Sequence, residues 1–214
     1  MRRIKKFGGQ HQTLPIKDKK TLDTFLYYFL SKRDKAKTDV KYYQAYRDYM
    51  LVLIGLNTAF RAEDLLQLRV VDVIKGYVQI KENKTGKMQN FRMSKELHDP
   101  ILKYIDTFKL TTSDYLFISQ MTIVDGKKYV YPITRQRGYK IVSRAAKAVG
   151  IDFVFGLHSL RKTFGYMYIK SGGKPDTLMK MLNHDDYTVT MRYVSWGVDD
   201  AESDRTAVFL GVKE

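Results

Sequence analysis

The sequence predicts a mainly α-helical α+β fold with one small antiparallel β-sheet. Apolar residues recur at intervals of three and four along most of the chain, which is the pattern of helices with one buried face. Between residues 70 and 93 the period becomes two, and turn-forming residues at 75–76 and 83–87 divide this stretch into short strands. With 214 residues and 44% hydrophobic content, the chain fits one ordinary domain with at most a small appendage.

The chain is strongly basic. It has 38 lysines and arginines against 23 acidic residues, a formal net charge of +15, which indicates an acidic partner. Nucleic acid fits best, and an acidic membrane surface is the rival. However, no apolar run approaches the roughly 20 residues needed to span a bilayer, and the N-terminus lacks the apolar middle of a signal peptide. We therefore expect a cytoplasmic, nucleoid-associated protein that does not bind membranes.

The composition also limits the chemistry. Cysteine is absent, so disulfides, a thiolate nucleophile and a Cys-ligated zinc are excluded. The histidines form no HExxH or comparable pattern, and the sequence contains neither a P-loop nor a Gly-rich dinucleotide loop. We expect neither a metal nor a cofactor.

The N-terminal residues 1–38 are predicted to be a basic arm followed by a short helix. Residues 1 to about 13 lack periodicity, and Thr21 can cap a helix that ends in a charged loop. The first 48 residues hold 13 basic and 5 acidic side chains, so this end either binds the DNA backbone or is a solvated charged face. A second helix, from Asp39 to Gly55, begins the larger part of the chain, residues 39–214.

Arg61 and Lys84 stand at two predicted turns. A short helix is expected over Ala62 to Leu68, directly after Arg61. An arginine there either binds a phosphate together with backbone N–H groups or forms a surface ion pair, for which Asp64 is the candidate partner. Strands are expected at 70–74, 77–82 and 88–93. Lys84 lies at the tip of the hairpin between the last two, where solvation is the usual fate of a lysine.

Two more helices precede the C-terminal region. Ser94 caps one that runs to Leu110, and short strands are expected around 116–118 and 129–131. Residues 134–149 form an amphipathic helix with a buried apolar face. Its basic side chains form a second stripe, which is either a solvated face or a contact in the major groove of DNA. They are Arg135 at the first turn and then Arg137, Lys140, Arg144 and Lys147.

The stretch 156–193 combines two histidines, an arginine and a tyrosine at suggestive spacings. In a helix that starts near His158, residues three apart share a face, so His158 and Arg161 project side by side. A further short helix ends just before His184, and Tyr193 follows nine residues later on another short helix.

Five strings occur in an order that resembles the tyrosine recombinase, or phage integrase, family. They are TAFRAEDLLQLRVVDV, NKTGK in a hairpin, HSLRKTF, LNH and a tyrosine nine residues after that histidine, and together they cover roughly residues 40 to 205. The resemblance implies a mostly helical catalytic domain and DNA strand exchange through a covalent 3′-phosphotyrosine intermediate and a Holliday junction. The catalytic residues it implies are Arg61, Lys84, His158, Arg161, His184 and the nucleophile Tyr193, with Asp64 in support.

These residue types suit phosphoryl transfer without a metal. Arg61 and Arg161 hold the non-bridging oxygens of the phosphate and stabilise the pentacoordinate state. Tyrosine has a reference pKa near 10 and needs a base or an electropositive pocket, which His158 and the arginines supply. Lys84 protonates the 5′-oxygen, and His184 hydrogen-bonds the phosphate.

Three residues deserve comparison with the family pattern. Lys162 stands where many members have a second histidine, and Asn183 stands where a glycine usually precedes the later histidine; neither is a catalytic position, so we expect activity to survive. Tyr187 competes as nucleophile, but its spacing from His184 fits the family poorly. Only about 38 residues precede the catalytic domain, where most relatives have a helical core-binding domain, so the chain is either a short member or a fragment.

The resemblance also implies partners. They are a double-stranded DNA attachment site, three further copies of the chain, and accessory DNA-bending or directionality factors. The free protein is expected to be a monomer that assembles into a homotetramer on synapsed DNA. An apolar tip at 208–212 is expected to be exchanged between neighbours. Two other functions stay open at this point: a type IB topoisomerase with a similar residue set, and a non-catalytic DNA-binding protein of the same fold.

Overall fold

The computed structural model describes residues 13–124, 127–197 and 200. Residues 1–12 of the predicted arm and the apolar tip of the tail lie outside the described residues. The mainly helical α+β class is confirmed, with two two-stranded antiparallel sheets in place of the single sheet expected. The elements are, in order, α1 (Lys19–Asp34), α2 (Asp39–Thr58), α3 (Ala62–Leu66), α4 (Val70–Val73), β1 (Tyr77–Lys81), β2 (Met88–Arg92), α5 (Lys95–Thr107), β3 (Ile118–Val124), β4 (Lys127–Pro132), α6 (Arg135–Ala148), α7 (Leu157–Lys170), α8 (Pro175–Met181) and α9 (Tyr187–Tyr193).

Helix α2 is the centre of the main hydrophobic core. Its buried side chains, Met50 among them, lie where the helix packs against α1, α5 and α7. The helix runs almost one turn past its expected end at Gly55. At Gly55, α2 and α7 approach so closely that a Cβ atom on this residue would lie 2.8 Å from Leu160 Cδ1. This contact holds α7, the helix of the predicted HxxR pair, against the middle of the domain.

Helix α1 belongs to the same core and starts earlier than expected. Its N-cap is Asp18, not Thr21: the Asp18 carboxylate accepts a hydrogen bond from the Thr21 backbone N–H at 2.7 Å, as N-cap side chains do. Phe25 and Phe29 are buried in the core that α2 forms. The Phe25 ring meets Phe29 and Phe155 edge to face, with centroids 5.3 and 5.1 Å away.

We expect Phe25→Ala to lower the free energy of unfolding by about 3–5 kcal/mol, because it leaves a cavity where a fully buried ring contacts two others. Urea denaturation followed by circular dichroism measures the loss. Tyr27→Ala, at an exposed position of the same helix, is the control and should change the value by less than about 0.5 kcal/mol. Equal stability of the two variants would show that α1 is separable from the core.

Residues 70–73 are helical and Ile74 caps the helix, so the prediction of a strand over 70–74 was wrong. Asp72 accepts a hydrogen bond from the Arg69 backbone N–H at 2.7 Å, which caps α4. Val70 and Val73 are buried while Val71 is exposed, which is burial at the three-residue period of a helix. The local cap and this burial outweigh the β propensity of the valines.

Two hairpins supply the β structure. Strands β1 and β2 pair with Val78 opposite Phe91, and residues 82–87 form the expected turn between them. Strands β3 and β4 form a separate antiparallel pair. Strand β4 includes the expected 129–131 segment, whereas β3 begins only at the last residue of the predicted 116–118.

A smaller hydrophobic cluster holds the C-terminal helices on α7. Leu182 and Val194 are buried in it together with Tyr166. Gly165 allows the end of α9 to approach α7, since a Cβ atom there would lie 2.6 Å from Val194 Cγ1. The cluster therefore presses the end of α9, and with it Tyr193, against α7.

Candidate active site

Two arginines that are distant in sequence meet at one carbonyl oxygen. Arg161 is 2% exposed, and its Nη1 and Nη2 atoms donate to the carbonyl oxygens of Ala59 and Leu182 at 2.5 and 2.6 Å. Arg61 directly precedes α3, and its Nη2 atom donates to the same Leu182 oxygen at 3.5 Å. The left-handed conformation of Ala59, with φ at 55°, ends α2 and leads the chain to Arg61. The structure thus brings the two predicted phosphate-binding arginines together.

Tyr193, the last residue of α9, lies beside this arginine pair. Its ring centroid is 5.9 Å from Arg161 Cζ, 5.1 Å from Lys162 Nζ and 5.1 Å from the centroid of the His184 ring, which meets it edge to face. Burial raises the pKa of the Tyr193 phenol, while the charges of Arg161 and Arg61 and a hydrogen bond from Arg161 oppose that rise. Cations beside a phenol favour its ionised form.

His184 follows α8 and is held by α9. Asn183 before it has a φ of 48°, a left-handed conformation that glycine adopts freely and asparagine tolerates, which explains why asparagine can stand in a glycine position. His184 Nδ1 lies 3.1 Å from Thr190 Oγ1, whose hydroxyl donates to the Asp186 carbonyl oxygen at 3.0 Å. The hydroxyl has only one hydrogen and gives it to Asp186, so it can only accept a hydrogen bond from Nδ1. In the neutral ring the proton is therefore on Nδ1, and the lone pair of Nε2 is free.

The environment keeps His184 neutral at neutral pH. Burial lowers its pKa to about 4, and the charges of Arg161 and Arg61 act in the same direction. A neutral imidazole at this position can accept a proton or share a hydrogen bond, but it adds no charge to the site.

We expect the free energy of unfolding to fall as the pH is lowered from about 6.5 to about 4. His184 has an ordinary pKa of 6.5, which applies to the unfolded chain, and a pKa of about 4 in the folded protein. Between these values the unfolded state binds more protons, so stability rises with pH there and His184 contributes no slope above 6.5. In His184→Gln the loss of stability from about pH 7 to about pH 4.5 should be smaller, as measured by urea denaturation. An unchanged loss would contradict the burial of this imidazole.

His158 lies on α7 with Arg161, as the spacing predicts. It is half-buried, and burial lowers its pKa, followed by the charges of Arg135 and Arg161. Among the described residues, no hydrogen bond or ring contact joins His158 to Tyr193. The imidazole in contact with the predicted nucleophile is His184 instead.

The β1–β2 hairpin reaches the site through residues of its turn. Asp64 Oδ1 accepts a hydrogen bond from the Asn83 backbone N–H at 2.9 Å, and Lys87 Nζ donates to Asp185 Oδ1 at 2.5 Å. Asp64 therefore supports the hairpin. Lys84 is exposed, and within the described part of the chain its amine makes no hydrogen bond or ion pair. The structure brings the hairpin, but not the Lys84 amine, to the arginines.

Glu82 and Lys162 belong to the site although sequence reasoning gave neither a role in it. Glu82 is buried and forms an ion pair with Arg61, so the expectation that Asp64 is the partner of this arginine was wrong. Lys162 is buried as well, and its Nζ donates to the Thr13 carbonyl oxygen at 2.7 Å. Their positions next to the NKTGK and HSLR strings were the available signal.

The predicted DNA-binding side chains lie on an exposed face of α6. Three of them share a groove with basic side chains of α1 and α2, a grouping that the sequence did not reveal. Arg135 lies outside the groove, with its Nη1 atom 3.3 Å from Glu63 Oε1. The basic residues that line the groove are Lys32, Lys35, Lys41, Arg137, Lys140 and Arg144.

None of the His, Asp and Glu side chains of the described residues form a group of three or more that could hold a metal ion. None of the described helices is both long and apolar enough to cross a membrane.

Residues 34–197 match the phage integrase family. Probable integrase/recombinase YoeC of Bacillus subtilis (strain 168) is 37% identical over 155 residues, which are 72% of this chain and 79% of that protein. Tyrosine recombinase XerD of Staphylococcus haemolyticus is 26% identical over 159 residues, which are 69% of this chain and 50% of that protein. The chain thus spans about half the length of this second relative.

Solved structures share the fold. XerA recombinase matches with a TM-score of 0.70 at 19% identity, over 92% of this chain and 66% of that one. XerH site-specific recombinase, in a post-cleavage complex with its palindromic difH substrate, matches with a TM-score of 0.66 at 20% identity, over 94% of this chain and 55% of that one. Because the family match covers most of the residues, including the arginine pair, His184 and Tyr193, the chain belongs to the phage integrase family.

Proposed function

We propose that the protein is a site-specific DNA recombinase that cuts and rejoins strands through a covalent 3′-phosphotyrosine intermediate. The observation that carries the proposal is the position of Tyr193 against Arg161, which shares the Leu182 carbonyl with Arg61. A hydroxyl nucleophile beside two fixed cations is what attack on a phosphodiester requires. The names of the relatives, an integrase/recombinase and a tyrosine recombinase, support the same class.

In the cleavage step, the Tyr193 oxygen forms a bond to phosphorus and the bond from phosphorus to the 5′-oxygen breaks. Arg61 and Arg161 stabilise the negative charge that develops on the non-bridging oxygens. The phenol proton passes to His184, the imidazole in contact with the ring, rather than to His158 as the resemblance suggested. A bound phosphate adds negative charge next to His184 and so raises its affinity for that proton.

The departing 5′-oxygen needs a proton of its own. Lys84 supplies it from a turn that is already attached to the site, since the Asn83 backbone N–H next to it donates to Asp64. Religation is the reverse reaction with a new 5′-hydroxyl. The phosphotyrosine keeps the energy of the broken bond, so the reaction needs no cofactor.

Double-stranded DNA is the proposed partner, and the basic groove on α6 is its proposed contact surface. Exchange between two duplexes requires four strand cuts, and one tyrosine makes one cut. Four protomers on two synapsed duplexes therefore complete the reaction, and exchange of one strand pair at a time passes through a Holliday junction. Accessory DNA-bending factors would act on the DNA outside this core.

Isolation of the covalent adduct tests the proposal. The protein first selects its binding site from random-sequence duplexes, and that site is then made into a nicked suicide substrate whose cut fragment diffuses away. The expected product is an SDS-resistant adduct, and mass spectrometry of its peptides should find the nucleotide on Tyr193. Absence of an adduct, or attachment to Tyr187, would contradict the proposal.

Transfer of the attached strand distinguishes recombination from relaxation. A second duplex with the same site should accept the strand from the adduct and yield recombinant product. Relaxation of supercoiled plasmid without any transfer between duplexes would identify a type IB topoisomerase instead.

A further inference from the structure

Glu82 is a buried carboxylate with four partners at the centre of the site. It is 2% exposed and follows the last residue of β1. One oxygen pairs with Arg61 Nη1 and accepts from Thr85 Oγ1 at 2.5 Å, and the other accepts from Gln89 Nε2 at 3.1 Å and lies 4.0 Å from Arg161 Nη1. Burying a carboxylate costs free energy unless it is paired and hydrogen-bonded, and this one is both.

The same residue closes the turn that contains Lys84. The Glu82 carbonyl oxygen accepts from the Gly86 backbone N–H at 2.9 Å, and its own N–H donates to the Lys87 carbonyl oxygen at 2.9 Å. The side-chain bond to Thr85 spans the turn as well. Lys84 therefore lies between Glu82 and Thr85, which the carboxylate joins across the turn. The carboxylate thus holds the backbone on both sides of Lys84.

Glu82 also connects the hairpin to the helices beside Tyr193. Gln89, which donates to Glu82, donates from the same nitrogen to the Met181 carbonyl oxygen at 3.0 Å, at the end of α8. Burial raises the pKa of Glu82, but the hydrogen bonds from Thr85 and Gln89 and the charge of Arg61 outweigh burial and hold the pKa below its ordinary value. The carboxylate is ionised at neutral pH and can attract Arg61.

We propose that Glu82 is a positioning residue that holds Arg61 for the scissile phosphate and fixes the turn that presents Lys84 to the departing oxygen. This inference rests on the proposed function. Its physical basis is that one ionised carboxylate joins an arginine of the α2–α3 loop to the hairpin tip. Displacement of a reacting group by about 1 Å can cost about 100-fold in rate, so loss of this tether should be measurable.

The choice of substrate separates loss of proton donation by Lys84 from the other effects of a substitution. A duplex with sulfur in place of the bridging 5′-oxygen releases a thiolate, and because a thiol has a pKa near 8.5 its departure needs no proton donor. A variant that misplaces Lys84 should therefore be slow on the oxygen substrate and fast on the sulfur substrate. Lys84→Ala sets the full size of this rescue.

The test compares wild type, Glu82→Ala and Lys84→Ala in single-turnover adduct formation on both substrates at the selected site. For Glu82→Ala we expect a rate about 100-fold lower on the oxygen substrate and a loss at least about 5-fold smaller on the sulfur substrate, where only the part due to a displaced Arg61 remains. DNA affinity should be unchanged or higher, because a negative charge is removed from a basic site. Asp99→Ala, an equal change in charge at an exposed position of α5, should leave both rates unchanged.

Three results would overturn the inference: a wild-type rate on the oxygen substrate, a loss that sulfur does not reduce, or a loss of rate matched by an equal loss of DNA affinity. Glu82→Gln keeps the shape of the side chain and can still accept from Thr85, so it should show a smaller change in the same direction; it replaces Glu82→Ala if that variant does not fold. If wild type forms no adduct with either substrate, the proposed function fails. If wild type reacts and the Glu82 variants behave like it, only the present inference fails.

Discussion

Tyr193→Phe should bind the selected DNA site with wild-type affinity and form no covalent adduct. The substitution removes one oxygen atom and keeps the ring, so the contacts with His184 and Lys162 and the packing of α9 should persist. Without the hydroxyl no bond to phosphorus can form, and loss of the nucleophile of a serine protease costs about 10⁶-fold in rate. Adduct formation on the suicide substrate and a binding titration on the intact site measure the two quantities.

Tyr187→Phe is the matched control. Tyr187 begins α9, is 50% exposed and is the other tyrosine close to His184 in sequence. The same removal of a hydroxyl should leave the adduct rate within about 2-fold of wild type, since an exposed phenol makes no contact on which the reaction depends. Adduct formation by Tyr193→Phe together with its loss in Tyr187→Phe would reverse the assignment of the nucleophile.

The helices were predictable from sequence because their signals are local. Apolar spacing located α6 at 134–149, and the helix expected to start near His158 is α7, each within a few residues of its observed bounds. The strand expected at 70–74 failed for a reason that is also local, since Asp72 caps a helical turn that valine propensity obscured. The β propensity of a residue has least influence where a helix cap and burial at a three-residue period favour a helix.

The residue types of the candidate site could be predicted from sequence, but their contacts could not. The resemblance pointed to Arg61, Arg161, His184 and Tyr193, which the structure places together. That Arg61 pairs with Glu82 and not with Asp64 depends on how the hairpin folds over α3, which no local pattern encodes. For the same reason the sequence could not show which imidazole touches the tyrosine, because this is decided by how α9 packs on α7.

Arg161→Lys is expected to lower the rate of adduct formation by about 10²- to 10³-fold. Lysine keeps the charge, but it cannot reproduce the planar fork with which Arg161 bonds the Ala59 and Leu182 carbonyl oxygens, nor the paired donors that the proposed phosphate contact needs. The Ala59 oxygen would lose its donor inside the protein, so the free energy of unfolding should also fall, by about 1–3 kcal/mol. Arg192→Lys, the same change at an exposed position of α9, is the control for both measurements.

A change of substrate separates the electrostatic part of the Arg161 defect from the structural part. When a methyl group replaces one non-bridging oxygen of the scissile phosphate, the phosphate is neutral and its transition state carries one negative charge fewer, so it needs less from a guanidinium. The ratio of wild-type to Arg161→Lys rates should therefore be at least about 10-fold smaller on this substrate than on the natural one. If the ratio is the same on both, Arg161 acts only by holding Ala59 and Leu182 in place, because a scaffolding defect does not depend on the charge of the phosphate.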